Sequence, residues 1–171
     1  MQCVILAAGK GVRMQPLTYT IPKPLATING KSILDYTFDS LPKKVDEVII
    51  VVGHLGEQIK KKFGNRHRGI KIRYAKQEKL LGTFHALKCA KKFLRDEFLA
   101  LMADDLYAKK DLERLLKYKR AILIKRIKDP KGRFGKCFIH NNLFKGNIEG
   151  GSQEKKNSYI YANCAAYKLT K

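Results

Sequence analysis

Met1-Gln2-Cys3-Val4-Ile5-Leu6-Ala7-Ala8-Gly9-Lys10-Gly11-Val12-Arg13 opens the chain, and its reading decides the fold. Gln2 to Ala8 is a short apolar run that shrinks to alanine before Gly9-Lys10-Gly11, as a buried strand feeding a tight loop should. Two glycines let the backbone approach a phosphate closely and turn its N–H groups inward. Arg13 and the later Lys23 add fixed positive charge suited to a triphosphate. The spacing is that of neither a Walker loop nor the dinucleotide fingerprint. A Gly-x-Gly loop alone does not assign a function.

Downstream, apolar runs and helical spacings alternate. Helices are expected at Ile33 to Leu41 (ending before Pro42), Gly56 to Phe63, Thr83 to Leu94 and Asp111 to Tyr118. Strands are expected at Val45 to Val52, Ile70 to Ala75, Phe98 to Met102 and Ala121 to Ile127. Such alternation implies right-handed βαβ units on a mainly parallel sheet. After Asp129 the style changes. Glycine and asparagine crowd 132–151, with short strands expected at Lys136 to His140 and Ser158 to Leu169. The fold class expected is therefore α/β: a mainly parallel sheet with a strand-rich C-terminal part. With 171 residues, 44% hydrophobic, and no repeat or linker, a single domain 1–171 is expected.

Composition narrows the partners without naming one. A net charge of +21 attracts polyanions of any kind. The lysine runs 60–62, 91–92 and 109–110 read first as solvated helix faces. The longest apolar run, Val48 to Gly53, is far below the ~18 residues of a membrane span. No export signal is visible at the N-terminus, so a cytoplasmic location is expected. The four cysteines (3, 89, 137, 164) form no CxxC pair and read as small buried hydrophobes, not as a zinc site or a disulfide framework. The histidines are isolated, and no serine or cysteine sits in a nucleophile motif.

Taken together, Gly9-Lys10-Gly11-Val12-Arg13-Met14-Gln15-Pro16-Leu17-Thr18 and Pro22-Lys23-Pro24-Leu25 closely resemble the signature of the sugar-phosphate nucleotidyltransferases. Val12 stands where that family usually has threonine, and Met14 where leucine is commoner. The resemblance implies the family's fold, a Rossmann-like three-layer α/β/α domain of the nucleotide-diphospho-sugar transferase type. It also implies transfer of a nucleotidyl group from a nucleoside triphosphate to a sugar 1-phosphate. On that basis Arg13 and Lys23 are the catalytic candidates. Leu6, Ala7, Ala8, Gly9 and Gly11 form the nucleotide-binding loop, and Gln77, Gly82 and Thr83 the base-reading segment. Residues 1–128 make the nucleotide-binding half and 129–171 the acceptor-binding half.

Met102-Ala103-Asp104-Asp105 ends a buried strand in carboxylates, where open α/β sheets keep their sites. Hard oxygen ligands suit Mg2+. The resemblance makes Asp104 the metal ligand, with Asp105 or a loop-capping role as alternatives; Ala103 replaces a glycine. For the acceptor, Asp129-Pro130 and Arg133-Phe134-Gly135, then Glu154-Lys155, then Ala162-Asn163-Cys164-Ala165 resemble three further family motifs. They imply Gly135, Glu154, Lys155 and Asn163 as acceptor-binding residues. Lys156 and Ala165 depart from the family's proline and glycine, and the added methyl at Ala165 leaves the acceptor's identity open. The family usually adds a second aspartate beyond these motifs, and no Asp follows Asp129. The expectation is that the chain binds magnesium triphosphate through Asp104 but turns over slowly, if at all, alone. Two alternatives stay open: a nucleotidyltransferase with a non-sugar acceptor, and a binding descendant that uses its charge on RNA or a protein. A homo-oligomer is compatible with all three.

Overall fold

The computed structural model describes residues 1–128, 135–148 and 159–171. In chain order the elements are β1 (Gln2–Ala7), β2 (Thr27–Ile28), β3 (Lys31–Ser32), α1 (Ile33–Ser40), β4 (Glu47–Val52), α2 (Gly56–Phe63) and β5 (Arg66–His67). They continue with β6 (Ile70–Lys76), α3 (Thr83–Ala90), β7 (Glu97–Met102), α4 (Lys109–Leu115), β8 (Ala121–Lys128), β9 (Lys136–His140), β10 (Leu143–Ile148) and β11 (Tyr159–Thr170). Four parallel strands in the order β7-β1-β4-β6 form the centre of the sheet.

Alternation along β1 and β4 splits the core into two layers. Cys3, Ile5, Ala7, Val48, Ile50 and Val52 pack with Leu34 and Phe38 of α1, Ile59 and Phe63 of α2 and Leu112 of α4. Val4, Leu6, Ile49, Val51 and Ala75 pack with Ala86 and Ala90 of α3. Helices on both faces explain why β1 and β4 are buried throughout. Each fully buried aliphatic contributes about 1.5–3 kcal/mol. That outweighs the two polar residues at the strand entrances, which are satisfied in any case. Gln2 lies opposite Glu47 in register and donates to its carboxylate at 2.6 Å and to the Phe93 carbonyl at 2.8 Å.

Local signals set the ends. Ser32 caps α1 reciprocally with Asp35, and the helix stops before Pro42 as its sequence predicts. Two expected helices are shorter than their periodicity suggests. α3 ends at Ala90 and passes into a 3-10 turn at Lys91–Phe93, and α4 ends at Leu115.

The C-terminal part extends the sheet, as expected, but by a different route. β11 runs antiparallel to β7, and β8 pairs antiparallel with β11 instead of continuing the parallel core. β9 and β10 form a hairpin whose two-residue turn, Asn141-Asn142, has φ of 50° and 59°. Asparagine tolerates that left-handed turn, which suits the twist of a hairpin. Cys3 and Cys137 are buried as expected, whereas Cys89 and Cys164 are only half-buried. Among the described residues no helix is long and apolar enough to cross a membrane.

Candidate active site

The C-terminal ends of β6, β4, β1 and β7 lie side by side, and those of β6, β1 and β7 lead into segments picked out from the sequence. Loop 8–26 after β1 is wound into three single 3-10 turns at Val12–Met14, Leu17–Tyr19 and Lys23–Leu25. Gly11 is required there twice over. Its φ is +64°, and a Cβ would lie 2.9 Å from Thr18 Cγ2 and 3.1 Å from Lys23 Cβ. Thr18, buried, donates its hydroxyl to the Gly11 carbonyl at 2.9 Å. The turn after β4 braces the same loop. His54 Nε2 lies 3.2 Å from the Thr18 carbonyl, to which it donates, and Gln58 Nε2 donates to the Thr20 carbonyl at 2.7 Å. Gly53 sits so close to Ala8 that a Cβ would fall 2.7 Å from the Ala8 carbonyl oxygen. Thr18 belongs to the stretch that carries the family resemblance, whereas the bracing by His54 and Gln58 has no chemical signature in the sequence.

A cavity of about 220 Å³ opens above the ends of β1 and β7. Leu6, Ala7, Gly9, Gly11, Arg13, Lys23 and Asp104 all line it, so seven of the sequence candidates converge on one space. Gly9 has nothing within 4 Å of where a Cβ would be, leaving its backbone open to an approaching ligand. Arg13 is exposed, and no carboxylate among the described residues pairs with it. Lys23 Nζ donates to Asp104 Oδ2 at 2.5 Å.

Behind Asp104, the Ala103 N–H donates to the Leu6 carbonyl at 3.0 Å, holding the acidic corner beside the loop. Asp105 is exposed to solvent at its edge, yet desolvation of its carboxyl and the charge of Asp104 push its pKa up, against the opposing pull of Lys23 and Tyr107. The Tyr107 hydroxyl accepts from the Met102 N–H at 3.0 Å and lies 3.2 Å from the Ala165 carbonyl. Burial, then the neighbouring Asp105 charge, push its pKa far above the phenol range, so it remains a neutral clamp between β7 and β11.

Other candidates lie elsewhere. Ala8 is buried against Gly53 instead of lining the cavity. Gln77, Gly82 and Thr83 sit at the end of β6, two strands away from the loop. Gln77 is buried, and its backbone N–H donates to the Val52 carbonyl at 2.8 Å. Gly82 has φ +89°, a conformation that suits glycine. Asn163 has its side chain engaged in a bulge of β11: Oδ1 accepts from the Ala165 N–H at 2.8 Å, and Nδ2 donates to the Tyr167 hydroxyl at 2.9 Å. Its own N–H donates to the Gly135 carbonyl at 3.1 Å, so these two acceptor candidates are neighbours. Glu154 and Lys155, like Asp129, Pro130, Arg133 and Phe134, lie outside the described residues. Among the described residues no three histidine, cysteine or acidic side chains cluster as a metal site.

Comparison with known proteins bears on this geometry. The family model described as nucleotidyl transferase matches residues 2–125. Over 170 residues the chain is 34% identical to the bifunctional protein GlmU of Methanococcus maripaludis, a match covering 99% of this chain and 40% of the relative. It is 33% identical over 149 residues to the UTP–glucose-1-phosphate uridylyltransferase AglF of Haloferax volcanii, covering 82% of this chain and 61% of that one. The chain spans about 40% of the length of the GlmU relatives it matches. Among solved structures, UDP-glucose pyrophosphorylase from Acinetobacter baumanii superposes with a TM-score of 0.85 at 17% identity, covering 99% of this chain and 74% of that one, which shows a shared fold. With its parallel core, its glycine loop and the match across residues 2–125, the chain belongs to the nucleotidyl transferase family.

Proposed function

We propose that this chain transfers a nucleotidyl group from a nucleoside triphosphate to a sugar 1-phosphate, releasing pyrophosphate. The observation that carries the reading is the order of groups along one sheet edge. Gln77 follows β6, the phosphate loop follows β1, and Asp104 follows β7, with β4 between the first two. Neighbouring strands are ~4.8 Å apart, so this edge extends over roughly 14 Å. A nucleotide laid along it would put its base at Gln77 and its phosphates over Gly9 and Gly11, beside Arg13, Lys23 and Asp104. Relatives named for uridylyl and guanylyl transfer to sugar 1-phosphates support the reaction class.

In the proposed reaction an oxygen of the sugar phosphate attacks the α-phosphorus in line. The bond to the oxygen bridging α and β breaks, and pyrophosphate departs with that electron pair. Both reactants are already ionised, so the chain supplies no base; it positions them and offsets their charge. The loop N–H groups and Arg13 hold the phosphates, and Lys23 exchanges its Asp104 partner for them. Asp104, with Asp105 beside it, offers hard oxygen ligands of the kind that suit magnesium, which takes one or two carboxylates plus phosphate oxygens. Bound there, the ion would offset negative charge on the leaving pyrophosphate. Gly135, Asn163, Glu154 and Lys155 form the proposed acceptor side.

Pyrophosphate release by this chain, measured with four triphosphates against a panel of sugar 1-phosphates, tests the proposal. Release that requires one triphosphate and one sugar phosphate supports it. Release with none, together with no triphosphate binding, overturns it.

A further inference from the structure

The segment after β6 folds back on Gln77, whose side chain is buried. The amide nitrogen, Nε2, lies 3.2 Å from the Gly82 carbonyl oxygen and 3.0 Å from Nδ1 of His85. A carbonyl oxygen only accepts, so the atom facing Gly82 is the donating nitrogen, and this settles which way round the amide stands. The second N–H then points at His85. Nδ1 of that ring is therefore the unprotonated acceptor, with the proton on Nε2. Both N–H groups of Gln77 are engaged within the chain. Its Oε1 meets no hydrogen-bond donor among the described residues.

Gly82 sustains this arrangement. With φ +89° and ψ −179° it turns its carbonyl to Gln77 while leading into α3, a backbone conformation closed to ordinary side chains. The first turn of α3, at Thr83 and Phe84, carries backbone N–H groups with no intrahelical acceptor, as every helix start does. The acceptor and these donors thus belong to one short segment after β6, residues 77–84.

We infer that His85 is a specificity-determining positioning residue: by holding the amide nitrogen of Gln77 it presents Oε1 alone to the base, and so selects triphosphates of uracil, thymine or guanine over those of cytosine or adenine. The inference rests on the proposed nucleotidyltransferase reading. Uracil, thymine and guanine each carry a ring N–H beside a carbonyl, which pairs with an acceptor next to a donor. Cytosine and adenine present a ring lone pair at the matching position, and two acceptors then face each other. Gln77 does not correct the mismatch by turning over, because its oxygen would meet the Gly82 carbonyl and the His85 lone pair.

Calorimetric titration of the chain with magnesium UTP, GTP, CTP and ATP tests this, in the wild type, His85→Leu and His85→Asn. The wild type is expected to bind UTP and GTP at least about 10-fold more tightly than CTP and ATP, the weight of one matched hydrogen bond. In His85→Leu one N–H is released, and the preference is expected to shrink to within about 3-fold, chiefly by gain of CTP and ATP binding. Asparagine can place Oδ1 where Nδ1 stood, so His85→Asn is expected to keep the preference, which a packing role alone would not explain. A wild type that binds the four alike, or prefers CTP or ATP, overturns the inference while leaving the transferase reading intact. So does an unchanged preference in His85→Leu, or loss of preference in both variants. Failure of the wild type to bind any of the four overturns the transferase reading itself, and this inference with it. Should His85→Leu not fold, the wild-type order and His85→Asn still decide.

Discussion

Lys23 and Asp104, 81 residues apart, meet at 2.5 Å across the mouth of the cavity, joining the loop after β1 to the end of β7. Both side chains are partly exposed, at 25% and 33%, so water screens the pair and its own worth to stability is small. Its importance lies in what it holds ready. A cation suited to phosphate and a carboxylate suited to a metal neutralise each other here. On the proposed function, magnesium and triphosphate would displace the pair together more readily than either would alone.

Lys23→Ala separates these roles. Loss of one charge-assisted contact costs about 1.5–3 kcal/mol, so magnesium triphosphate binding should fall by roughly 10–100-fold. Magnesium alone should bind more tightly than in the wild type, because Asp104 is released from its partner. Calorimetric titrations of both ligands check this. Unchanged triphosphate affinity would remove Lys23 from the site.

Some of this site was legible in the sequence, and the physical reasons differ by residue. Gly11 was legible because only glycine suits both its backbone angle and its contact with Thr18. Asp104 stands out because open α/β sheets keep their sites at the ends of such strands, and it does line the cavity. The bracing of the loop by His54 and Gln58 was not, since it joins ordinary polar residues 36 and 38 positions away from their partners. Neither was the insertion of β11 beside β7. An apolar run marks a strand but says nothing of its neighbour or direction, so the sequence does not show that β8 pairs antiparallel with β11. β10 carries no strand signal in the sequence because Leu143, Phe144 and Ile148 are exposed, leaving no buried face to show as a period of two. The sequence also does not show that the Asn163 side chain is hydrogen-bonded within the β11 bulge.

That bulge carries a testable strain. Ala165 has φ +50°, in the left-handed region, which costs a residue with a Cβ about 1–2 kcal/mol. Ala165→Gly removes that cost but adds about 0.5–1 kcal/mol of unfolded-chain entropy. A net gain of roughly 0.5 kcal/mol is expected, or a melting temperature ~1–2 °C higher. Urea and thermal unfolding measure it. A clear loss of stability would mean that the methyl's packing outweighs the backbone strain.

Acid should unfold the chain through Glu47 in particular. Its burial alone would raise the pKa, but hydrogen bonds from Gln2 and Arg73 and the charges of Arg73 and Arg95 outweigh this and hold it below the ordinary 4.5. Asp35 is lowered likewise, its desolvation outweighed by Lys62 and Ser32. A carboxylate depressed in the folded state stabilises it fully above its unfolded pKa, and that contribution fades as pH falls through the folded pKa. Asp105, raised, acts in the opposite sense and offsets part of the loss. Urea midpoints should thus be level above about pH 5 and drop below it. Glu47→Gln should cost about 1–3 kcal/mol at pH 7 and flatten the acid limb. An acid limb as steep as the wild type's would place the responsible protons elsewhere.

Gly9 and Gly11 stand two residues apart in one loop, yet substitution should affect them in different ways. Gly11→Ala forces a Cβ onto Thr18 and Lys23 at a left-handed φ, so both stability and triphosphate binding should fall, stability by about 1–2 kcal/mol or more. Around Gly9 a Cβ meets no atom within 4 Å, and its φ is not left-handed. Gly9→Ala should therefore keep its urea midpoint to within about 0.5 kcal/mol of the wild type. Its methyl nevertheless projects where the site is open, and Gly9 lines the cavity. If phosphates lie against that backbone, the methyl holds them off the N–H groups, and affinity should drop about 10-fold, the weight of one or two hydrogen bonds. A stable Gly9→Ala protein with lost triphosphate binding would mark the loop as a ligand cradle and not merely a turn. Wild-type affinity in that variant would move the phosphates away from Gly9 and leave Gly11 with a structural role alone.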